Sequence, residues 1–306
     1  MSEQPVDRRV VECVPNFSEG RRPEVVAAIV EAIAQTPGVR ILDHTSDHDH
    51  NRSVVTFVGP PEACTEGAFA GISRAADLID MEAHCGGHPR IGAADVVPFV
   101  PIRGVTMAEC VELARTLGKR VAEELGIPVY LYGEAATSPD RRNLADIRRG
   151  EYEGLKQTID TPERHPDFGP PRLHPTAGAT VIGARMPLIA FNVNLGTGDL
   201  EIARKIARAV RGSSGGLVHV RAIGVMLSER NIAQVSMNLV DYTRTPIHRA
   251  VEMVRREAQR YGVPIVETEL IGLMPLDAIL DSAAFYLQLP KLSSGQILEA
   301  KIWDED

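Results

Sequence analysis

The sequence predicts an α+β protein made of two halves, each a split β-α-β unit. Three observations carry that expectation. Short β-branched runs alternate with amphipathic helical patterns along the 306 residues. One signature, a helix followed by Gly, an apolar residue, Pro and a strand, occurs as ELGIPVYLYGE (124–134) and again as RYGVPIVETEL (260–270). A Pro-rich stretch lies between the two occurrences.

In the first half, VVECV (10–14) and VRILD (39–43) read as strands around a helix over 23–35, whose Val26, Ile29, Val30 and Ile33 fall three and four residues apart. SVVTFV (53–58) is a strand, and a helix follows over 61–79, weakened by Gly67 and Gly71. After the strand ADVVPFV (94–100), a helix over 106–125 gathers Val111, Ala114, Leu117, Val121 and Leu125 on one face. Gly126-Ile127-Pro128 then stops that helix and starts the strand PVYLY (128–132).

The second half reads as strand 188–195, helix 199–211, strands 217–227 and 233–242, helix 245–261 and strand 264–270. That is β-α-β-β-α-β, the ferredoxin-like order. The expected architecture is two ferredoxin-like (split βαβ) subdomains with a ligand cleft between them, spanning 1–178 and 179–306. The connector at the end of the first, 161–178, carries Pro162, Pro166, Pro170, Pro171 and Pro175, too many for a helix or strand interior. Its His165, Phe168, Arg172 and His174 are unusual for a mere linker and are expected to line a cleft.

Composition narrows the function. Lys+Arg of 33 against Asp+Glu of 41 gives a net charge of −8, which disfavours a nucleic-acid surface. No apolar run approaches the roughly 20 residues of a membrane span, and MSEQPVDRRV lacks a signal-type apolar core, so a soluble cytoplasmic protein is expected. Cys13, Cys64, Cys85 and Cys110 form no Cys-x-x-Cys pair, which leaves reduced thiols as the expectation.

Five of the nine histidines, His44, His48, His50, His84 and His88, lie between positions 44 and 88. His44 to His50 has the residue types of a zinc or iron site, but Asn51 and Arg52 follow where a ligand pattern would continue, and a polar connecting loop accounts for it better. In HCGGHPR (84–90) the glycines and Pro89 forbid a zincin helix. What is left is a Gly-rich loop that lets the backbone approach a ligand and holds His88 beside Arg90. An imidazole there suits general acid/base work, and a hydrogen-bonded structural histidine is the simpler reading of the segment by itself. Cys85 is the one Cys/His nucleophile candidate. PNFSEG (15–20) reads either as a helix N-cap through Ser18 or as backbone amides facing an anion. RGSSGG (211–216) leads from a helix into a strand, the reverse of a phosphate loop, and reads as a turn.

Several stretches, taken in order, are similar to those of the glutamate formimidoyltransferases and of the formiminotransferase domain of formimidoyltransferase-cyclodeaminases. They are VECVPNFSEG (11–20), NRSVVTFVGPPE (51–62), LIDMEAHCGGHPRIGAADVVPFVPIRGV (78–105), AEELGIPVYLYGEAA (122–136), RRGEYEGL (148–155), DFGP (167–170), GATVIGAR (178–185), LIAFNVNL (188–195) and LIGLMPLDAIL (270–280). The resemblance implies transfer of a formimino group from N-formimino-L-glutamate to N5 of tetrahydrofolate, the co-substrate, in histidine breakdown. It also implies a homodimer, with no nucleic-acid or membrane partner.

By the same resemblance His88 is the catalytic residue, and folate-contacting segments fall at 169–178 and 214–223, that is on Gly169, Pro170, Arg172, His174, Gly178, Gly215, Gly216 and Arg221. Arg90, Arg52 and Asn51 are expected to hold the substrates, with Arg172 and Arg221 as further carboxylate partners. No bound metal is expected. Gly87 stands where animal enzymes often carry Glu, and the length leaves no room for a cyclodeaminase domain, so no deaminase activity is expected. The competing expectations are a metal-dependent hydrolase on His44, His48, His50 and His84, and a folate-binding protein without catalysis.

Overall fold

The computed structural model describes residues 9–304. The chain divides after Arg185 into two compact units. In the first, β1 (Val10–Cys13) and β2 (Asn16–Phe17) form one interrupted strand. They are followed by α1 (Pro23–Ala34), β3 (Arg40–Asp47), β4 (Arg52–Gly59), α2 (Pro61–Leu78), β5 (Ala94–Arg103), α3 (Met107–Leu125), β6 (Val129–Gly133), α4 (Leu144–Ile147), α5 (Glu151–Thr158) and β7 (Thr180–Ala184).

One seven-stranded sheet orders these strands β3-β4-(β1, β2)-β5-β7-β6. The first four positions pair antiparallel, whereas β7 runs parallel to both β5 and β6. The sequence boundary at 178/179 therefore falls too early: Thr180–Ala184 hydrogen-bonds between β5 and β6 and is buried throughout, so it belongs to the first sheet.

Apolar periodicity decides what covers this sheet. The buried residues of α1, α2 and α3, among them Ile29, Ile33, Ile72 and Leu117, share one core with Phe17, Phe57, Val97 and Phe99 of the strands. Thr106 caps α3 by accepting from the Glu109 amide while the Glu109 carboxylate accepts from the Thr106 amide, and Gly126 ends the helix in left-handed backbone. A second cluster joins Val96, Tyr130, Tyr132 and Val181 to Ile147 of α4 and to Leu155 and Ile159. With clusters on both faces, β5 is a nearly continuous apolar run rather than an alternating one.

Residues 161–178 are built into this unit rather than left as a linker. Phe168 exchanges backbone hydrogen bonds with Val129 and touches Gly118 of α3, and the Thr176 and Ala177 carbonyls accept from Met81 and Ala93.

The second unit contains β8 (Ile189–Leu195), α6 (Leu200–Val210), β9 (Val220–Leu227), β10 (Ile232–Leu239), α7 (Ile247–Gln259), β11 (Ile265–Ile271), α8 (Leu276–Leu287) and α9 (Leu298–Asp304). Its four strands pair antiparallel in the order β11-β8-β10-β9. Up to β11 this is the succession of elements read from the sequence; α8 and α9 are additional. Counted within each unit, the fourth strand lies beside the first, then the third, then the second. The antiparallel part of the first sheet, β5-(β1, β2)-β4-β3, follows the same rule.

Candidate active site

The candidate site lies at the edge of the first unit where β2 ends and β4 and β5 begin. The β3–β4 turn is its floor. Asn51 sits there in left-handed backbone, φ 49°, and its side chain ties two neighbours to the turn: Oδ1 accepts from the Gly20 amide at 3.0 Å and Nδ2 donates to the Cys85 carbonyl at 3.0 Å. Gly86 must be glycine for the same reason, since a Cβ would stand 2.3 Å from the His50 carbonyl oxygen. The Gly-rich loop does use its glycine for close approach, but to the hairpin backbone. Asn51, expected to bind substrate, ties the Gly20 segment and the Cys85 loop to the hairpin.

Arg90 is the hub of the loop and is only 6% exposed. Its Nε donates to His84 Nδ1 at 3.2 Å, Nη1 to Glu151 at 3.1 Å and to Glu153 at 2.8 Å, and Nη2 to Glu153 at 2.7 Å and to the His84 carbonyl at 3.2 Å. All five guanidinium donors are taken. Arg90 therefore anchors the His84–His88 segment to α5, and its sequence-expected role of holding a substrate carboxylate has no donor left to serve it. His84 is committed as well: its other nitrogen, Nε2, contacts the Asn51 carbonyl at 3.0 Å.

His88 projects from this anchored loop into a small pocket that it shares with Arg52, Asp95, Ser18 and His50. The enclosed part of the pocket has a volume of about 10 Å³, and the pocket opens to solvent beyond it. Burial first, and then the positive charges of Arg52 and Arg148, push the His88 imidazole down from 6.5 to about 3. It is neutral at physiological pH. The His50 ring stands edge-on to it, 6.1 Å between centroids, and is itself oriented by Asp47, whose two oxygens accept from the His50 amide and contact Nδ1 at 2.7 Å.

Four charged residues that sequence reading missed complete the surroundings. Arg148, just after α4, is ion-paired with Asp95 of β5; the Arg148 and Asp95 side chains are 12% and 3% exposed. Glu151 and Glu153, which fix Arg90, are the other omission. In the sequence, RRGEYEGL (148–155) stands out only through the family resemblance. With two buried apolar residues in α5, Tyr152 and Leu155, the segment shows too little periodicity to announce a helix.

The remaining expected residues are placed as follows. Gly169 and Gly178 have positive φ, Pro170 is half-buried and Arg172 is exposed. His174 Nδ1 accepts from the Ala177 amide at 3.0 Å and closes a turn onto Gly178. In the second unit, Gly215 and Gly216 belong to the turn after α6, whose amides return to Gly212 and Arg211, and Arg221 is exposed on β9. That turn is the reading the sequence favoured.

Ser18 is not an N-cap. Its hydroxyl donates to the Gly92 carbonyl at 2.7 Å, while Glu19 accepts from the Arg21 and Arg22 amides ahead of α1, so an internal carboxylate occupies the place considered for an anion. Cys85 is exposed and lacks a base in His84, whose ring nitrogens are both engaged. Among the described residues no three His, Cys, Asp or Glu side chains are arranged to hold a metal ion, which does not favour the hydrolase alternative. Among them, too, no helix is long and apolar enough to cross a membrane.

Comparison with known proteins places the chain in a family. Residues 10–185 match the formiminotransferase domain, N-terminal subdomain, and residues 190–301 match the formiminotransferase domain. A glutamate formimidoyltransferase of Thermoplasma acidophilum is 55% identical over 96% of this chain and 97% of its own, and one of Streptococcus pyogenes serotype M1 is 48% identical over 95% and 98%. The formimidoyltransferase-cyclodeaminase of Rattus norvegicus is 51% identical over 93% of the chain, which spans about half the length of that relative, 53%. With both domain models matched in sequence order and full-length relatives near half identity, the chain belongs to the formiminotransferase family.

Proposed function

We propose that this protein is a glutamate formimidoyltransferase that moves the formimino group of N-formimino-L-glutamate to N5 of tetrahydrofolate, with His88 as the general acid/base. The observation that carries the assignment is the His88 imidazole, kept uncharged on a loop anchored by Arg90 and turned into a pocket with a cation, Arg52, whose side chain has no ion-pair partner among the described residues. N5 attacks the formimino carbon and forms a C–N bond. His88 takes the proton that N5 must lose and returns it to the glutamate nitrogen as the original C–N bond breaks. One imidazole serves both transfers, and help of this kind is worth about 10²–10⁴-fold.

Tetrahydrofolate is a co-substrate in this reading, and residues 169–178 and 214–223 are its proposed contacts. We also assign both units to the ferredoxin-like plan on their shared strand order, keep the sequence expectation that folate meets residues of both, and place the enzyme in histidine breakdown as a cytoplasmic homodimer.

The test is a spectroscopic assay of 5-formiminotetrahydrofolate formed by the purified chain from tetrahydrofolate and formiminoglutamate, with formiminoglycine as a second donor. Turnover in the parent and a loss of at least about 10²-fold in a folded His88→Ala variant are expected. Binding of reduced folate without product indicates a non-catalytic folate protein, and near-parental turnover in His88→Ala removes the role of His88.

A further inference from the structure

The positive charge around His88 is larger than its acidic partners balance. Arg52 opens β4 opposite Asp47, yet both Asp47 oxygens are committed to His50, and the Arg52 side chain makes no hydrogen bond or ion pair among the described residues. Burial and the nearby Arg148 charge lower its proton affinity, with Asp95 and Asp47 opposing them. Arg148 has one carboxylate partner, Asp95, whose second oxygen accepts from the Ile91 amide, and its Nε is buried with no hydrogen-bond partner among the described residues. Two guanidiniums thus share essentially one carboxylate, and a buried donor stays unspent.

His88 shares its pocket with Arg52 from β4, Asp95 from β5, His50 from the hairpin, Ser18 from the end of β2, and His84 and Arg90 from its own loop, and Arg148, from the segment after α4, stands behind Asp95 as its ion-pair partner and adds its charge. An anion taken up there lowers the potential on the imidazole.

We propose that Arg52 and Arg148 form a carboxylate receptor beside His88, and that filling it with the α-carboxylate of the formimino donor makes His88 an effective base. The α-carboxylate is favoured over the γ because it is attached to the carbon that carries the reacting nitrogen, so a receptor next to His88 reaches it while the imidazole reaches that nitrogen. The empty receptor keeps His88 a poor base; the donor supplies the negative charge that releases it. Catalytic competence then follows donor binding, and free folate does not meet an active base. This inference rests on the formimidoyltransferase reading.

The experiment follows His88 directly. Protein labelled with ¹⁵N-histidine, with the His88 signals assigned through His88→Asn, is titrated by NMR alone and with saturating N-acetyl-L-glutamate, which has the α-carboxylate but no transferable carbon. The His88 midpoint is expected to rise by about one pH unit or more on binding, the size of a close charge neutralised. Arg148→Met is expected to raise the free-state midpoint and to remove most of the ligand effect. The Asp95→Asn/Arg148→Met double variant, which leaves no unpaired Asp95, is expected to behave alike if the single variant fails to fold.

In the parent, the acid limb of kcat is expected at higher pH than that of kcat/KM, and the two are expected to converge in Arg148→Met. A His88 midpoint unmoved at saturation, or no binding of N-acetyl-L-glutamate at millimolar concentration by a protein that does transfer the formimino group, overturns the receptor. A parent without transfer activity refutes the underlying function instead, so the two failures are distinct.

Discussion

Replacing Arg90 by Met keeps an unbranched stem and removes every polar contact of the anchor. The cost follows from the exposure of each partner. The Glu151 and Glu153 side chains are 43% and 63% exposed, so both carboxylates return to water and their bridges count for about 0–1 kcal/mol each. The two contacts to His84 are partly buried and contribute about 1 kcal/mol each, and the buried methylenes are largely preserved by Met. The sum is about 3 kcal/mol lost from the first unit.

Activity is expected to fall further than stability alone accounts for. His88 lies two positions from Arg90, and a displacement of about 1 Å at a reacting group costs about 10²-fold. Guanidinium-chloride unfolding with steady-state kinetics at a temperature where the variant is folded separates the two effects. Arg90→Lys is expected to recover stability in part and activity only slightly, because an ammonium cannot reproduce the five-donor fork. A folded Arg90→Met protein with parental kcat/KM would refute the view that this anchor positions His88.

The folded protein holds His88 neutral well below 6.5, whereas the unfolded chain takes up that proton below about 6.5, so stability is expected to decline as pH falls from 6.5 toward 3; the loss is about 2 kcal/mol at pH 5, and His88→Asn is expected to flatten it in denaturation curves at pH 7 and 5. Glu153, held at about 2 chiefly by its hydrogen bond from Arg90, stabilises fully above 4.5 and progressively less as pH falls toward 2. Because its side chain is 63% exposed the effect is a few tenths of a kcal/mol, and it is expected to vanish from the acid limb of Glu153→Gln. Gly86→Ala places a methyl 2.3 Å from a backbone oxygen and is expected to cost about 1–3 kcal/mol by thermal unfolding, with lower kcat/KM as the loop lifts from the hairpin.

Local pattern accounts for what the sequence determined. Spacings of three and four located α1 and α3 to within about two residues; the Gly126-Ile127-Pro128 punctuation placed the end of α3 and the start of β6; and the order of elements through β11 in the second unit followed from alternation and helix stops. The irregular loop around His88 was legible because Gly86, Gly87 and Pro89 exclude both helix and strand, whereas the catalytic role expected of His88 came from the family resemblance. Each of those signals is carried by residues within a few positions of one another.

Tertiary structure decided the rest. Asp95 and Arg148 meet across 53 residues, and Arg90 and Glu153 across 63. The seven residues after the sequence boundary, 179–185, joined the first unit because β7 found parallel partners in β5 and β6. Nothing in a charged residue's neighbourhood along the chain says which opposite charge it will meet, since Coulombic pairing depends on distance in space and on exclusion of water. The sequence therefore marked a loop that carries a titratable ring, and only folding determined which guanidiniums set the charge state of His88 and which is consumed in holding its loop.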